Sequence, residues 1–317
     1  MRKCSIFVGI GMGLQALLGQ AGMAQQTPAT APNNAGAPPE TEIYVADMQI
    51  GPGMVTVNNP RNITQHKGYD NQPYFLPSGD ALLYTSEGPG ARMDIWQLDL
   101  KTGVRTQLTD TPDNSEYSPK LMPDGSGFSV IYEQENRGGQ EVRRYGFDDT
   151  KQSEVMLDLS PVGYHAWGHG TKYLATFALG NPPTLRLANR ETGEIKIMHE
   201  NIGRALYALP DGSGYTFTER LESGAFKVLH LDIESGAVTP LFDLPGGVGG
   251  NEHYALMVNE DAPLGISFIS ANGSKLYIRS VSQDAWLEIA DMESQGINTI
   301  TRLAVNAAGD KLAFVVR

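Results

Sequence analysis

A sequence motif recurs six times along this chain at a nearly constant spacing. A complete copy has a turn such as Pro77-Ser-Gly-Asp80, two strands, and a second turn such as Lys101-Thr-Gly103. The steps between copies are 42 to 49 residues, a spacing typical of propeller blades. A constant period favours a ring of blades over a β-sandwich, which does not require one. Successive copies begin near Pro77, Pro123, Gly168, Pro210, Asn259 and Ala307.

The segments between the turns read as strands. The first turn precedes an apolar run such as Ala81-Leu-Leu-Tyr-Thr85 or Phe128-Ser-Val-Ile-Tyr132, whose β-branched and aromatic residues indicate a buried strand. A more alternating strand follows, as in Asp94-Ile-Trp-Gln-Leu-Asp99, and then a fourth, as in Val104-Arg-Thr-Gln-Leu-Thr109. We therefore predict four antiparallel strands in each blade.

The two ends of the chain complement each other. The sixth copy stops at Arg317, directly after its second strand, while Glu42-Ile-Tyr-Val-Ala-Asp47 and Met54-Val-Thr-Val-Asn-Asn59 resemble the third and fourth strands. An unfinished blade would leave unpaired strand edges, which promote association with other chains. The sequence therefore predicts an all-β, six-bladed β-propeller over residues 42–317, closed by N-terminal strands that complete the C-terminal blade.

The N-terminus has the layout of a secretory signal. Arg2 and Lys3 form a short basic segment, Ser5–Leu18 is mostly apolar, and small residues follow as far as Ala24. We predict a signal peptide over residues 1–24 and a periplasmic or secreted protein with no membrane insertion after signal removal. The alternative is an uncleaved anchor, although the apolar run is shorter than the about 20 residues that span a bilayer.

Composition limits the partners of the mature chain. Residues 25–41 are rich in Pro and Ala and predict a flexible tether. Removal of the signal would take away Cys4, the only cysteine, and leave 22 basic against 36 acidic residues, a formal charge of −14. Such a surface disfavours nucleic acid as a partner. We expect a monomer that acts on a partner other than nucleic acid.

The repeats resemble a known family. The segments Pro119-Lys-Leu-Met-Pro-Asp-Gly-Ser-Gly127 and Leu206-Tyr-Ala-Leu-Pro-Asp-Gly-Ser-Gly214, together with the Asp94-Ile-Trp-Gln-Leu-Asp99 strand, look like the WD-related repeats of TolB-like six-bladed propellers. The resemblance covers nearly the whole predicted mature chain. It implies the same fold, but such propellers include periplasmic partners of the Tol-Pal envelope system, domains of prolyl peptidases and some lyases. It therefore leaves activity open.

Function in a propeller usually lies at the mouth of the central channel. The beginnings of the innermost strands converge there, and aromatic and arginine side chains at such a place are typical anchors for a protein partner. We therefore predict a non-catalytic module that binds a protein or peptide partner of the cell envelope. The predicted binding residues at the channel mouth are Asn71, Tyr74, Glu116, Tyr117, His165, Arg204, Tyr207, His253 and Arg302.

An enzyme is the alternative. Two histidines on different blades, His165 and His253, with Glu116 as an oxygen ligand, are the residue types that bind a divalent metal. Such a metal would polarise a carbonyl or activate water in a lyase or hydrolase that acts on a small or saccharide substrate. The chain has no His-Glu-x-x-His spacing, and ordinary polar residues in a wet channel explain the same pattern. We therefore expect no cofactor.

Overall fold

The structure is a computed structural model that describes residues 38–51, 54–88, 90–134, 138–149, 152–168 and 170–317. The predicted signal peptide, residues 1–24, and most of the predicted tether, residues 25–41, lie outside the described residues. Thr41 is buried, and its hydroxyl donates a hydrogen bond to the Asp70 carbonyl over 3.0 Å. In the described part of the chain, no helix has the length and hydrophobicity needed to cross a membrane.

The described residues form six four-stranded antiparallel sheets, which are the blades of a propeller. The predicted fold class is therefore confirmed. In chain order, the strands of the first three uninterrupted blades are β3 (Asp70–Phe75), β4 (Ala81–Glu87), β5 (Met93–Asp99), β6 (Arg105–Gln107), β7 (Asn114–Leu121), β8 (Phe128–Gln134), β9 (Gln140–Tyr145), β10 (Ser153–Val155), β11 (Val162–Gly168), β12 (Tyr173–Ala178), β13 (Thr184–Asn189) and β14 (Glu194–Glu200). Those of the next two are β15 (Ile202–Ala208), β16 (Gly214–Arg220), β17 (Phe226–Asp232), β18 (Val238–Asp243), β19 (Tyr254–Val258), β20 (Ile266–Asn272), β21 (Lys275–Arg279) and β22 (Leu287–Asp291). Short 3-10 helices lie at Pro263–Gly265 and Glu293–Gln295.

The remaining blade is built from both ends of the chain. It contains β1 (Glu42–Gly51) and β2 (Met54–Asn62) with β23 (Ile300–Val305) and β24 (Lys311–Val316), in the order β2-β1-β24-β23. Strand β1 pairs with β24 over six residues, from Glu42 opposite Val316 to Asp47 opposite Lys311. The predicted closure of the ring by N-terminal strands is confirmed.

The core consists of layers between neighbouring blades. Each of the six apolar clusters in the described residues joins side chains of two adjacent blades. The second strands are buried on both faces because a blade covers each side. Almost every residue of β4 and β8 is buried as a result. This burial explains the continuous apolar runs in the sequence, which lack the alternation of a half-exposed strand.

The turns follow from their residue types. In the turn after β7, the Asp124 carboxylate accepts a hydrogen bond from the Ser126 backbone N–H over 2.9 Å, and Gly125 adopts a φ of 73°. Gly127 has a φ of 150°, and a Cβ there would lie 1.9 Å from the Tyr145 carbonyl oxygen. Only glycine fits this position, which allows β8 to begin close to β9.

Candidate binding site in the central channel

The first strand of each blade lines a central channel. These strands are β3, β7, β11, β15, β19 and β23, and most neighbouring pairs of them are in contact. The channel contains two adjoining cavities that share part of their lining. A small polar cavity of about 60 Å³ lies toward the beginnings of the inner strands. An apolar funnel of about 620 Å³ lies toward their ends, beside the turns that start each repeat. The residues that line both cavities are Pro73, Lys120, Leu206, Tyr207 and Leu303.

Breaks in strand pairing determine which side chains reach the channel. Five of the six inner strands change register along their length, for example between Tyr117 and Lys120 in β7 and between Asn71 and Tyr74 in β3. Gln72 and Ser118 lie at two of these breaks with φ angles of 57° and 53°. An extra residue in a strand reverses the side chains that follow it relative to simple alternation.

Arg302 is a cation at the polar mouth that side chains of two other blades hold in place. Its Nη1 donates a hydrogen bond to Asn71 Oδ1 over 2.9 Å, and its Nη2 donates to the Tyr164 hydroxyl over 2.6 Å. Asn71 is itself oriented, because its Nδ2 donates to the Thr41 hydroxyl over 3.3 Å. Arg302 therefore connects three blades and keeps its charge, since interactions with Tyr164 and Tyr69 raise its pKa despite burial.

A second arginine lies beside an acidic residue at the same mouth. Arg204 leaves 56% of its side chain exposed, and its Nη1 is 3.7 Å from Glu252 Oε1. The other Glu252 oxygen accepts a hydrogen bond from the Arg204 backbone N–H over 2.9 Å. His253 Nε2 lies 3.8 Å from Glu252 Oε1. Burial, together with the nearby positive charges of Arg302 and Arg204, lowers the pKa of His253 well below its usual value, so His253 is neutral at pH 7.

His165 is enclosed deeper in the wall of the channel. Its Nε2 forms a hydrogen bond with Ser129 Oγ over 2.7 Å, and the same oxygen accepts one from Trp167 Nε1 over 2.8 Å. The rings of His165 and Trp167 meet edge to face. Burial, and secondarily the charge of Lys120, lower the pKa of His165 to about 3. His165 is therefore a neutral side chain whose Nε2 is engaged by the protein, while its Nδ1 is buried without a hydrogen-bond partner among the described residues.

Lys120 lies where the two cavities adjoin, near two tyrosine rings. Its Nζ is 5.4 Å from the centroid of Tyr74 and 5.3 Å from that of Tyr207, distances at which a ring face attracts a cation. Burial lowers the pKa of Lys120 to about 8 and raises that of Tyr207 to about 12. No carboxylate of the described residues forms an ion pair with this ammonium.

The channel brings together seven of the nine predicted residues. Asn71 contributes through Arg302, and the other six line the two cavities: Tyr74, His165, Arg204, Tyr207, His253 and Arg302. Glu116 does not face the channel. It is fully buried, and its Oε1 accepts hydrogen bonds from the Thr111 hydroxyl over 2.8 Å and the Tyr145 hydroxyl over 3.1 Å. Burial raises the pKa of Glu116 to about 7. Tyr117 also points away from the channel and packs against the apolar layer toward the next blade.

Four polar side chains that line the small cavity were not selected from the sequence: Gln72, Ser118, Lys120 and Tyr164. All four lie within or next to the inner-strand segments that the repeats identify. Ser118 and Lys120 follow Tyr117 in β7, and the register break there turns Lys120 inward. No residue type in that segment signals the break, although Pro119 is a residue that ladder pairing disfavours.

The three residues predicted as metal ligands do not form one group. His165 and His253 line the polar cavity, whereas Glu116 lies outside it. In the described ranges, no set of three or more His, Cys, Asp or Glu side chains is placed to hold a metal ion.

The fold is similar to that of TolB. The structure of a putative TolB from Agrobacterium tumefaciens superposes with a TM-score of 0.64 at 14% identity, over 87% of this chain and 98% of that one. TolB from Acinetobacter baumannii gives a TM-score of 0.59 at 16% identity, over 86% of this chain. This chain spans 64% of the length of the Acinetobacter protein. The predicted TolB-like six-bladed propeller is therefore confirmed as a fold.

Other comparisons do not extend to activity. An oligogalacturonate lyase from Vibrio parahaemolyticus is similar with a TM-score of 0.48 at 12% identity, over 77% of this chain and 88% of that one. This similarity is too weak to indicate a shared activity. No protein-family model and no curated protein matches the chain.

Proposed function

We propose that this protein is an exported, TolB-like binding module that holds a segment of a protein partner at the polar mouth of its channel. The observation that carries the proposal is the presentation of Arg204 and Arg302. Arg302 is fixed by Asn71 and Tyr164, while Arg204 remains more than half exposed. Arginine and tyrosine are the side chains that dominate the energetics of protein interfaces.

The charges at this mouth indicate what the partner segment carries. Arg204 and Arg302 are positive, His253 is neutral, and Glu252 is the acidic group that contacts Arg204. The mouth therefore offers more positive than negative charge in a chain whose formal charge is −12. A segment with a carboxylate or backbone carbonyl groups would complement it, because charge-assisted hydrogen bonds to arginine are strong.

Export is the other half of the proposal. The basic and apolar N-terminal residues support it, and the resemblance to TolB-like propellers agrees with an envelope protein. Mass spectrometry of the protein from the periplasm or medium of its native host should give a mature chain that begins near Gln25. A full-length chain confined to the cytoplasm would refute export.

Partner capture tests the binding site. Immobilised wild-type protein should retain a discrete protein from an envelope extract, and Arg204→Ala should reduce its recovery at least about tenfold, as expected for loss of a central arginine. Arg61→Ala is the matched control, since Arg61 lies on β2 at the outside of the ring and has a similar side-chain exposure of 53%. Recovery that does not depend on Arg204 would contradict the proposal. The lyase or hydrolase would be favoured instead if the wild-type protein bound stoichiometric metal and turned over a saccharide, and if His253→Ala lost both properties.

A further inference from the structure

The apolar funnel has one charged side chain. It is lined by aliphatic and aromatic groups from the ends of the inner strands, among them Met122, Trp167 and Leu256. Among the described residues that line it, Lys120 at its floor is the sole ionisable side chain other than two tyrosines. Its volume of about 620 Å³ is within the range of about 300 to 1,000 Å³ that is usual for small-molecule sites.

The ammonium of Lys120 is costly in this position. Lys120 is half-buried, and an ammonium that is partly removed from water is stabilised by a counter-charge or hydrogen bonds, whereas the described residues offer it only the faces of Tyr74 and Tyr207. His165 on the adjacent blade also lines the polar cavity, but it is neutral and supplies no negative charge. The lowered pKa of Lys120 has the same cause, since burial disfavours the charged form. A ligand that brings its own anion would supply what the protein does not.

We propose that the funnel binds a small amphipathic carboxylate, with its apolar body against the funnel wall and its carboxylate on Lys120 Nζ. The wall favours an apolar body because it removes apolar surface from water. The charged floor selects an anion and fixes its orientation, because an ammonium–carboxylate hydrogen bond is charge-assisted. The site is distinct from the polar mouth, and neither Arg204 nor His253 lines it.

The Lys120 position fits a ligand headgroup better than a purely structural role. Lys120 lines both cavities, so it lies where the funnel adjoins the polar cavity. A structural lysine is normally paired with an acid, as Lys172 is with Glu191 over 3.0 Å. An ionisable group with a perturbed pKa in a cleft is a candidate for a functional site.

Isothermal titration calorimetry with three simple probes tests the proposal. Decanoate has the carboxylate and the apolar chain, decyltrimethylammonium has the chain with the opposite charge, and acetate has the carboxylate alone. Decanoate should bind the wild type with one molecule per chain, decyltrimethylammonium at least about tenfold more weakly, and acetate without detectable heat, since a charge-assisted hydrogen bond contributes about tenfold or more. This comparison of ligands uses only the wild-type protein, so it does not depend on the folding of any variant.

Variants then assign the contact. Lys120→Met should weaken decanoate binding about tenfold or more, Lys120→Arg should retain most of it, and the surface control Lys172→Met should leave it unchanged. Quenching of tryptophan fluorescence by 10-bromodecanoate should accompany binding, because Trp167 lines the funnel. The proposal is overturned if decanoate does not bind, if decyltrimethylammonium binds as well, or if Lys120→Met binds decanoate like the wild type.

Discussion

The two ends of the channel hold their cations in different ways. At the polar mouth, Arg302 donates hydrogen bonds to Asn71 and Tyr164 on two other blades. At the floor of the funnel, Lys120 has two aromatic faces and no acidic partner among the described residues. The protein itself provides hydrogen-bond partners for the guanidinium of Arg302, whereas the ammonium of Lys120 has no counter-charge among the described residues.

This difference distinguishes a cation that stabilises the fold from a cation that is available to a ligand. A buried charge with its hydrogen bonds made is part of the fold, and its removal leaves its partners unsatisfied. A half-buried charge without an ionic partner, such as that of Lys120, adds little to the fold, and its presence is explained more readily by a ligand. Arg302 and Lys120, which both lie on inner strands, therefore have opposite consequences for the free energy of unfolding. Unfolding experiments can measure this difference.

The largest effect should come from opening the ring, because both ends of the channel depend on its closure. Ile43→Asp places a carboxylate on β1 where the side chain is 0% exposed, between the closing blade and its neighbour. We expect a loss of about 4 kcal/mol or more in the free energy of unfolding. Urea unfolding and size-exclusion chromatography measure it. The matched control, Ile50→Asp, lies on the same strand with 57% exposure and should change stability by less than about 0.5 kcal/mol. Equal effects would contradict the role of β1 in closure.

A smaller change in the free energy of unfolding should distinguish Arg302 from Lys120 directly. Arg302→Met removes two hydrogen bonds and should lower the free energy of unfolding by about 1 to 3 kcal/mol, because Asn71 and Tyr164 lose their partner. Lys120→Met removes a charge without an ion pair and should leave stability unchanged within about 1 kcal/mol, or raise it. Urea unfolding at pH 7 compares the two. A larger loss for Lys120→Met than for Arg302→Met would reverse the comparison.

The smallest effect concerns pH. The pKa of Lys120 is lowered to about 8 in the folded protein from 10.5, so the unfolded state binds more protons between these values. The stability of the wild type should therefore rise with pH through this range relative to Lys120→Met, by at most about 3 kcal/mol. Urea unfolding of both proteins at about pH 7, 8.5 and 10 measures the difference.

The titratable groups around Lys120 do not obscure this window. Among those that face it, Tyr207 has a pKa of about 12 and His165 of about 3, and burial raises the pKa of Tyr74. The other ionisable groups that line the polar cavity are Tyr164, Arg204, His253 and Arg302, and they are present in both proteins. A difference between wild type and Lys120→Met that stays constant with pH would show that Lys120 is not buried as described.

Much of the fold was predictable because its signals are local and repeated. Turns such as Asp124-Gly-Ser126 and apolar runs such as Phe128–Tyr132 identify the blades one at a time. Glu42–Asp47 supplies a third strand for the blade whose second strand ends near Arg317. The site was predictable only to the level of strand segments. Glu116 was expected to face the channel but is buried beside Tyr145, while Lys120 in the same strand reaches it.

The sequence by itself determined the number of blades, their strand content and the closure from both ends, because burial between blades requires apolar runs at a constant period. Tertiary structure alone decided which side chains meet in the channel. Register breaks such as the one between Tyr117 and Lys120 reverse the side chains after them, and they depend on contacts across strands that are distant in sequence. The separation of a polar mouth from an apolar funnel with Lys120 at its floor is therefore a property of the closed ring.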